Sequence, residues 1–62
     1  MNRQYPCVVV HRIDPTLFAA SILLSEERCS VFTCGPYQDG IFQEACEFAT
    51  YLIIPVYDEV WQ

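Results

Sequence analysis

Apolar and polar positions alternate along the first part of the chain. From Tyr5 to Ile13 (YPCVVVHRI) an extended backbone places Cys7, Val9, His11 and Ile13 on one face and Val8, Val10 and Arg12 on the other, and the β-branched residues favour that state. This predicts a strand. Asp14-Pro15-Thr16 breaks it, because Pro15 has no backbone donor and restricts the residue before it. Leu17 to Ser25 (LFAASILLS) is compatible with two states. As a helix it has Asp14 as a cap, Pro15 in the first position, and alanines and leucines that suit helix. As a strand it places Phe18, Ala20, Ile22 and Leu24 on one face, and Ser25-Glu26-Glu27-Arg28 becomes a polar hairpin loop into Cys29 to Cys34 (CSVFTC). The strand is preferred, since a helix here is apolar on nearly every side in a protein too small to cover it.

Gly35-Pro36-Tyr37-Gln38-Asp39-Gly40 is the one clear punctuation in the chain, and a helical pattern follows it. Ile41, Phe42, Ala45, Phe48, Ala49 and Leu52 recur at helical spacing, with Gln43, Glu44, Glu47 and Tyr51 on the opposite face. Asp39 is the expected cap, and Asp39 and Glu44 suit the positive end of the helix dipole. Pro55 must stop the helix, because its ring would clash with the carbonyl of Tyr51. Val56 to Trp61 is expected to be extended or irregular, with room for a short edge strand. The predicted fold is α+β, a single domain over residues 1–62. A small three-stranded antiparallel β-meander packs against one C-terminal α-helix. With Leu17 to Ser25 helical, the order becomes β-α-β-α with a small parallel sheet.

Composition sharpens this picture. The chain has 62 residues, 53% of them hydrophobic, and a domain of this size buries only about 60% of the surface its unfolded form exposes. Some apolar surface must stay exposed. The longest near-continuous apolar runs, Leu17 to Leu24 and Tyr51 to Tyr57, fall short of the roughly 18 to 20 residues of a spanning helix, so a soluble chain is expected despite a mean hydropathy of +0.21. The formal net charge is −5, and there is no lysine. Asp14, Glu26 and Glu27 cancel Arg3, Arg12 and Arg28, whereas from Cys29 onward Asp39, Glu44, Glu47, Asp58 and Glu59 face no base. That balance argues against direct binding of nucleic acid, which needs clustered Lys and Arg. It suits a basic partner, or simple solubility.

The four cysteines, Cys7, Cys29, Cys34 and Cys46, would suggest two disulfides in a secreted chain. Met1 to Pro6 leads straight into the first strand without a leader pattern, so a cytoplasmic protein with free, mostly buried thiols is expected. Zinc has enough candidate ligands but poor spacing. There is no C-x-x-C pair, Cys29 and Cys34 fall on opposite faces of a regular strand, and Cys7 and His11 lie about 13 Å apart along theirs. Thr33-Cys34-Gly35-Pro36 resembles half of the thioredoxin-type motif, with Tyr37 where the second cysteine belongs. Cys34 with His11 is the one conceivable nucleophile and base, and no Ser-His-Asp set, phosphate loop or carboxylate cluster assembles. The expectation is a non-enzyme that uses no cofactor or metal.

What remains is surface. Glu44, Glu47 and Tyr51 share a helix face, and the tail adds Tyr57, Asp58, Glu59 and Trp61. Aromatic anchors beside carboxylates compose a protein-binding patch. The bland alternative is a solvated helix face with a tail folded back on the core. From Phe18 to Leu52, two strands, Gly35-Pro36-Tyr37 and a helix carrying Glu44-Ala45 and Phe48-Ala49 resemble in outline the sheet-plus-helix DNA-binding domain of plant ethylene-response factors and phage integrases. The resemblance implies the fold alone, since the arginines and tryptophan that meet DNA in that family are represented chiefly by Arg12 and Arg28. In size and acidity the chain also resembles small phage-encoded inhibitors of bacterial defence, such as anti-CRISPR and anti-restriction proteins. That likeness implies docking on, and inhibition of, a nucleic-acid-handling protein. The alternatives are a homodimeric structural or accessory subunit and a zinc- or thiol-based regulator.

Overall fold

A computed structural model describes residues 3–60. Five elements follow one another: β1 (Cys7–Asp14), β2 (Leu17–Leu23), β3 (Cys29–Gly35), α1 (Gln38–Leu52) and β4 (Val56–Asp58). The sheet runs in the order β3-β2-β1-β4. β1, β2 and β3 form the expected antiparallel meander, and β4 pairs parallel to β1 at the far edge, Val8 opposite Val56 and Val10 opposite Asp58. The molecule is thus a small α+β domain with a mixed four-stranded sheet and one helix. Leu17–Leu23 is strand, and the sheet also contains the parallel pairing of the alternative arrangement.

The turns follow from local chemistry. Between β1 and β2 the Asp14 carboxylate accepts from the backbone amide of Thr16 at 2.9 Å and from its hydroxyl at 3.2 Å, which closes a tight turn around Pro15. Between β2 and β3 the amide of Leu24 donates to the carbonyl of Arg28 at 2.9 Å, and Ser25 to Arg28 forms the polar loop the sequence predicts. A bulge interrupts β3, since Ala20 pairs with Thr33 while Ser21 pairs with Val31. One extra residue, Phe32, is thereby inserted, and its ring packs on that of Phe48 with centroids 4.5 Å apart.

The helix crosses one face of the sheet. Ile41, Ala45 and Ala49, at i, i+4 and i+8, are its buried residues, and they meet Val8 and Val10 of β1 and Ala20 of β2. Two alanines at the contact let helix and sheet approach closely. Phe18, Phe32 and Phe48 complete this core on the β3 side, and Ile54, Val56 and Val60 on the β4 side. At the rim the Arg12 guanidinium sits over the Phe18 ring, 5.1 Å from its centroid.

The start of the helix departs from expectation, while its end falls before Pro55 as expected. Tyr37, not Asp39, is the N-cap, and no side chain caps the helix; Asp39 lies in the first turn, where its charge still complements the dipole. At the other end Ile53 adopts the left-handed conformation, φ 59° and ψ 50°. Its amide donates to the carbonyl of Thr50 and the amide of Ile54 to that of Ala49, a Schellman closure two residues before Pro55. Glycine normally takes this position. A β-branched residue there is strained by about 1–2 kcal/mol.

Candidate functional site

The structure divides the expected patch between two surfaces. Glu44, Glu47 and Tyr51 project from the outer side of α1, all exposed, and Tyr51 retains 84% of its accessible surface. Tyr57 and Glu59 belong to the opposite side of the molecule. Tyr57 pairs with Val9 and packs against Cys7, Val9 and Leu23 on the uncovered face of the sheet. Glu59 pairs there with Arg3, which donates from Nε at 2.7 Å to one carboxylate oxygen and from Nη2 to the other. Asp58, at the β4 edge, is exposed and accepts the Val60 amide at 3.1 Å. Trp61 lies outside the described residues. The continuous acidic-aromatic stripe read from the sequence is therefore two separate surfaces, because β4 joins the sheet beside β1 and its register puts Tyr57 on the face away from the helix.

The helix surface is acidic and unpaired. Asp39, Glu44 and Glu47 form no salt bridge among the described residues, and the last turn of α1 carries no base. Glu44 and Glu47 stand at i and i+3, where like charges cost a helix about 0.2–0.5 kcal/mol. Beyond them the exposed side chains turn apolar. Tyr51, Leu52 and Ile53 follow in sequence, and Ile53 is 91% exposed in its strained conformation. The sequence showed the carboxylates; nothing in it marks the exposure of Ile53, which follows from the left-handed cap.

The uncovered sheet face holds a different set of groups. His11 Nε2 lies 2.9 Å from the Ser21 hydroxyl, and the two line a shallow depression of about 390 Å³ with Arg3, Val9, Val31 and Glu59. The segment Arg3 to Pro6 lies over the β1–β4 end of this face. The Gln4 amide donates to the Tyr57 hydroxyl at 3.1 Å, and Tyr5 packs on the Cys7, Val9 and Leu23 cluster. The hydrogen bond to Glu59, helped by one to Tyr5, holds the Arg3 guanidinium protonated even beyond its ordinary range. Burial pushes the Cys7 thiol up from the ordinary 9.0.

Two expectations about the cysteines are corrected. The thiols are not mostly buried: Cys7 is, Cys46 is half-buried, and Cys29 and Cys34 are exposed. Nor do Cys29 and Cys34 face opposite ways. Cys29 pairs with Leu23 and Cys34 with Ala19, which point to the same side of β2, so the Phe32 bulge brings both thiols to the uncovered face. Among the described residues no three His, Cys, Asp or Glu side chains gather closely enough to hold a metal ion. The His11–Ser21 pair has the elements of a nucleophile and base, but Ser21 is only 3% exposed. It sits in a central strand whose backbone amides are committed to the ladder, leaving no donors for an oxyanion. The pair is a satisfied, part-buried hydrogen bond. Among the described residues no helix is long and apolar enough to cross a membrane.

No protein-family model, no curated protein and no solved structure matches the chain.

Proposed function

We propose that this chain is a small cytoplasmic binding protein that docks the outer face of α1 on a larger, basic, nucleic-acid-handling protein and inhibits or regulates it, as phage-encoded anti-CRISPR and anti-restriction proteins do. The observation that carries this reading is the run of unpaired Glu44 and Glu47 beside the exposed Tyr51 and Ile53. The carboxylates set orientation and encounter rate against a basic surface, and the aromatic and aliphatic side chains supply buried area. Neither feature serves the fold. The acid pair repels within its own helix, and Ile53 stores strain at a place where glycine would relieve it.

The test uses affinity capture from lysate treated with nuclease, across a salt series, with the wild type beside Glu44→Lys/Glu47→Lys and Ile53→Gly. The charge-reversed protein is expected to keep its far-UV circular dichroism and to lose a nucleic-acid-processing partner that the wild type retains at low salt. Ile53→Gly is expected to raise stability by about 1 kcal/mol while weakening capture. Equal recovery of the same partner by all three proteins sinks the reading.

A further inference from the structure

The two edges of the sheet differ in how they meet solvent. β4 is three residues long and is followed by Glu59 after its own Asp58, whereas β3 is seven residues long and contains neither charge nor proline. Edge strands are ordinarily protected from pairing with another chain by charges, prolines, shortness or bulges. β3 has only the bulge, and its outer backbone is unpaired by any strand among the described residues.

Its sequence indicates what can pair with it. Cys29-Ser30-Val31-Phe32-Thr33-Cys34 matches itself in reverse, with Cys against Cys, Ser against Thr and Val against Phe about a point between Val31 and Phe32. Two copies laid antiparallel along β3 would bring the cysteine pairs and the hydroxyl pairs opposite one another, and hydroxyl pairs are favourable across strands. The bulge makes the match hold in three dimensions. Cys29 and Cys34 both face the uncovered side, through their partners Leu23 and Ala19; Ser30 and Thr33 both face the helix side, through Ile22 and Ala20. In an unbulged strand the two thiols would point to opposite faces and could not meet. Because Phe32 is the inserted residue, Cys29 and Cys34 lie two ladder positions to either side of Val31, so the twofold axis falls at Val31, which meets its own copy on the uncovered side. Charge favours the same place. Each copy carries a net −5, but β3 itself carries no charge; Glu26 and Glu27 in the loop before it neighbour Arg28, and Asp39, Glu44, Glu47 and Asp58 sit on α1 and at the β4 edge.

We infer that β3 is a homodimer interface, in which two copies pair antiparallel so that Cys29 of each lies opposite Cys34 of the other and one eight-stranded sheet runs through both. The twofold axis stands perpendicular to that sheet and puts both helices, with their acidic faces, on the same side. A seven-residue strand spans only about 23 Å, so pairing along it buries less than the roughly 800 Å² per partner of a standard interface, and the reduced dimer is weak. Two thiol pairs can fix it. With a low-molecular-weight disulfide as oxidant, the Cys29 thiolate attacks one of its sulfurs and releases one small thiolate. The facing Cys34 thiolate then attacks the Cys29 sulfur of the mixed disulfide and releases the second. Each bridge forms one S–S bond, reduces one oxidant disulfide to two thiols and passes the two cysteine protons to them.

The experiment is cross-linking with oxidised glutathione in a Cys46→Ser background, read on non-reducing gels. The parent protein is expected to form a species of twice 7.2 kDa that dithiothreitol reverses. Cys29→Ser alone and Cys34→Ser alone are expected to form none, because every bridge needs one thiol of each kind. An equimolar mixture of the two is expected to restore cross-linked dimer, to about half the parental amount if pairing is random. Dimer from either single variant alone would show like thiols meeting and overturns the register. No dimer from the parent or from the mixture overturns the interface. A readout of the strand pairing itself is Val31→Glu, which sets two carboxylates against each other near the axis. It is expected to cut parental cross-linking at least tenfold with unchanged circular dichroism, and unchanged cross-linking would refute pairing along β3.

Discussion

On the helix-covered face of the sheet, Val8, Val10 and Ala20 are sealed by Ile41, Ala45 and Ala49, with three phenylalanines and the aliphatic tail closing the sides. On the other face, Cys7, Val9 and Leu23 are covered by Tyr5 and Tyr57, beside the Arg3–Glu59 ion pair. The first closure is apolar and contains no ionisable group, so it draws on burial alone and responds little to pH or salt. The second rests on a few directional contacts supplied by segments from the two ends of the chain. Among the described residues there is one helix, and one helix covers one face. The uncovered face is where the half-buried polar groups and exposed thiols collect.

The largest expected effect is at the helix contact. Ala45→Asp buries an unpaired carboxylate at a cost of about 3–5 kcal/mol, comparable to the whole stability of about 3–9 kcal/mol for a chain this size. Circular dichroism should show loss of the cooperative thermal transition. Adjacent valines then compare the two faces directly. Val8→Ala should cost about 2–3 kcal/mol, two methylene equivalents and a cavity that the close helix cannot fill, while Val9→Ala should cost about half as much because the thin cover can settle. Equal shifts in the urea midpoint would mean that the faces are packed alike.

Smaller effects belong to the ionisable groups of the uncovered face. Burial holds Cys7 neutral in the folded chain, whereas the unfolded chain ionises it above about 9.0. Its contribution is therefore whole below that pH and is lost as pH climbs towards the raised folded value. Urea midpoints measured from pH 7.5 to pH 10 should fall less in Cys7→Ala than in the wild type; parallel curves would remove the thiol as the cause. The smallest change expected is in Glu59→Gln, which frees Arg3 and loosens the Arg3 to Pro6 segment. A slightly lower melting temperature at low salt should converge with the wild type as salt rises, since the ion pair is partly exposed.

Much of this division was legible in the amino-acid order. Alternation in Cys7 to Ile13 and the break at Asp14-Pro15-Thr16 sufficed for β1 and its turn, and the spacing of Ile41, Ala45 and Ala49 sufficed for the buried side of the helix. Glu44, Glu47 and Tyr51 were legible as a shared exposed stripe for the same reason, since faces at helical spacing are a local property. The tail was not. Tyr57 and Glu59 extend that stripe only in the linear sequence, and the parallel pairing of β4 beside β1 carries them to the other side of the sheet.

The strand type of β1 and β3, the helix α1, the element order and the buried side of α1 were thus determined by the sequence itself, through periodicities that need only neighbouring residues, whereas Leu17 to Ser25 was compatible with strand and helix. Three things required the assembled structure. The Phe32 bulge, which turns Cys29 and Cys34 to one face, arises from the register against β2. The left-handed Ile53 arises from the need to end α1 and return the chain to the far edge beside β1, and no glycine announces it. The Arg3–Glu59 pair joins residues 56 positions apart. Each depends on where distant segments meet, and that is set by packing one helix across a twisted sheet, not by the preferences of any short stretch of chain.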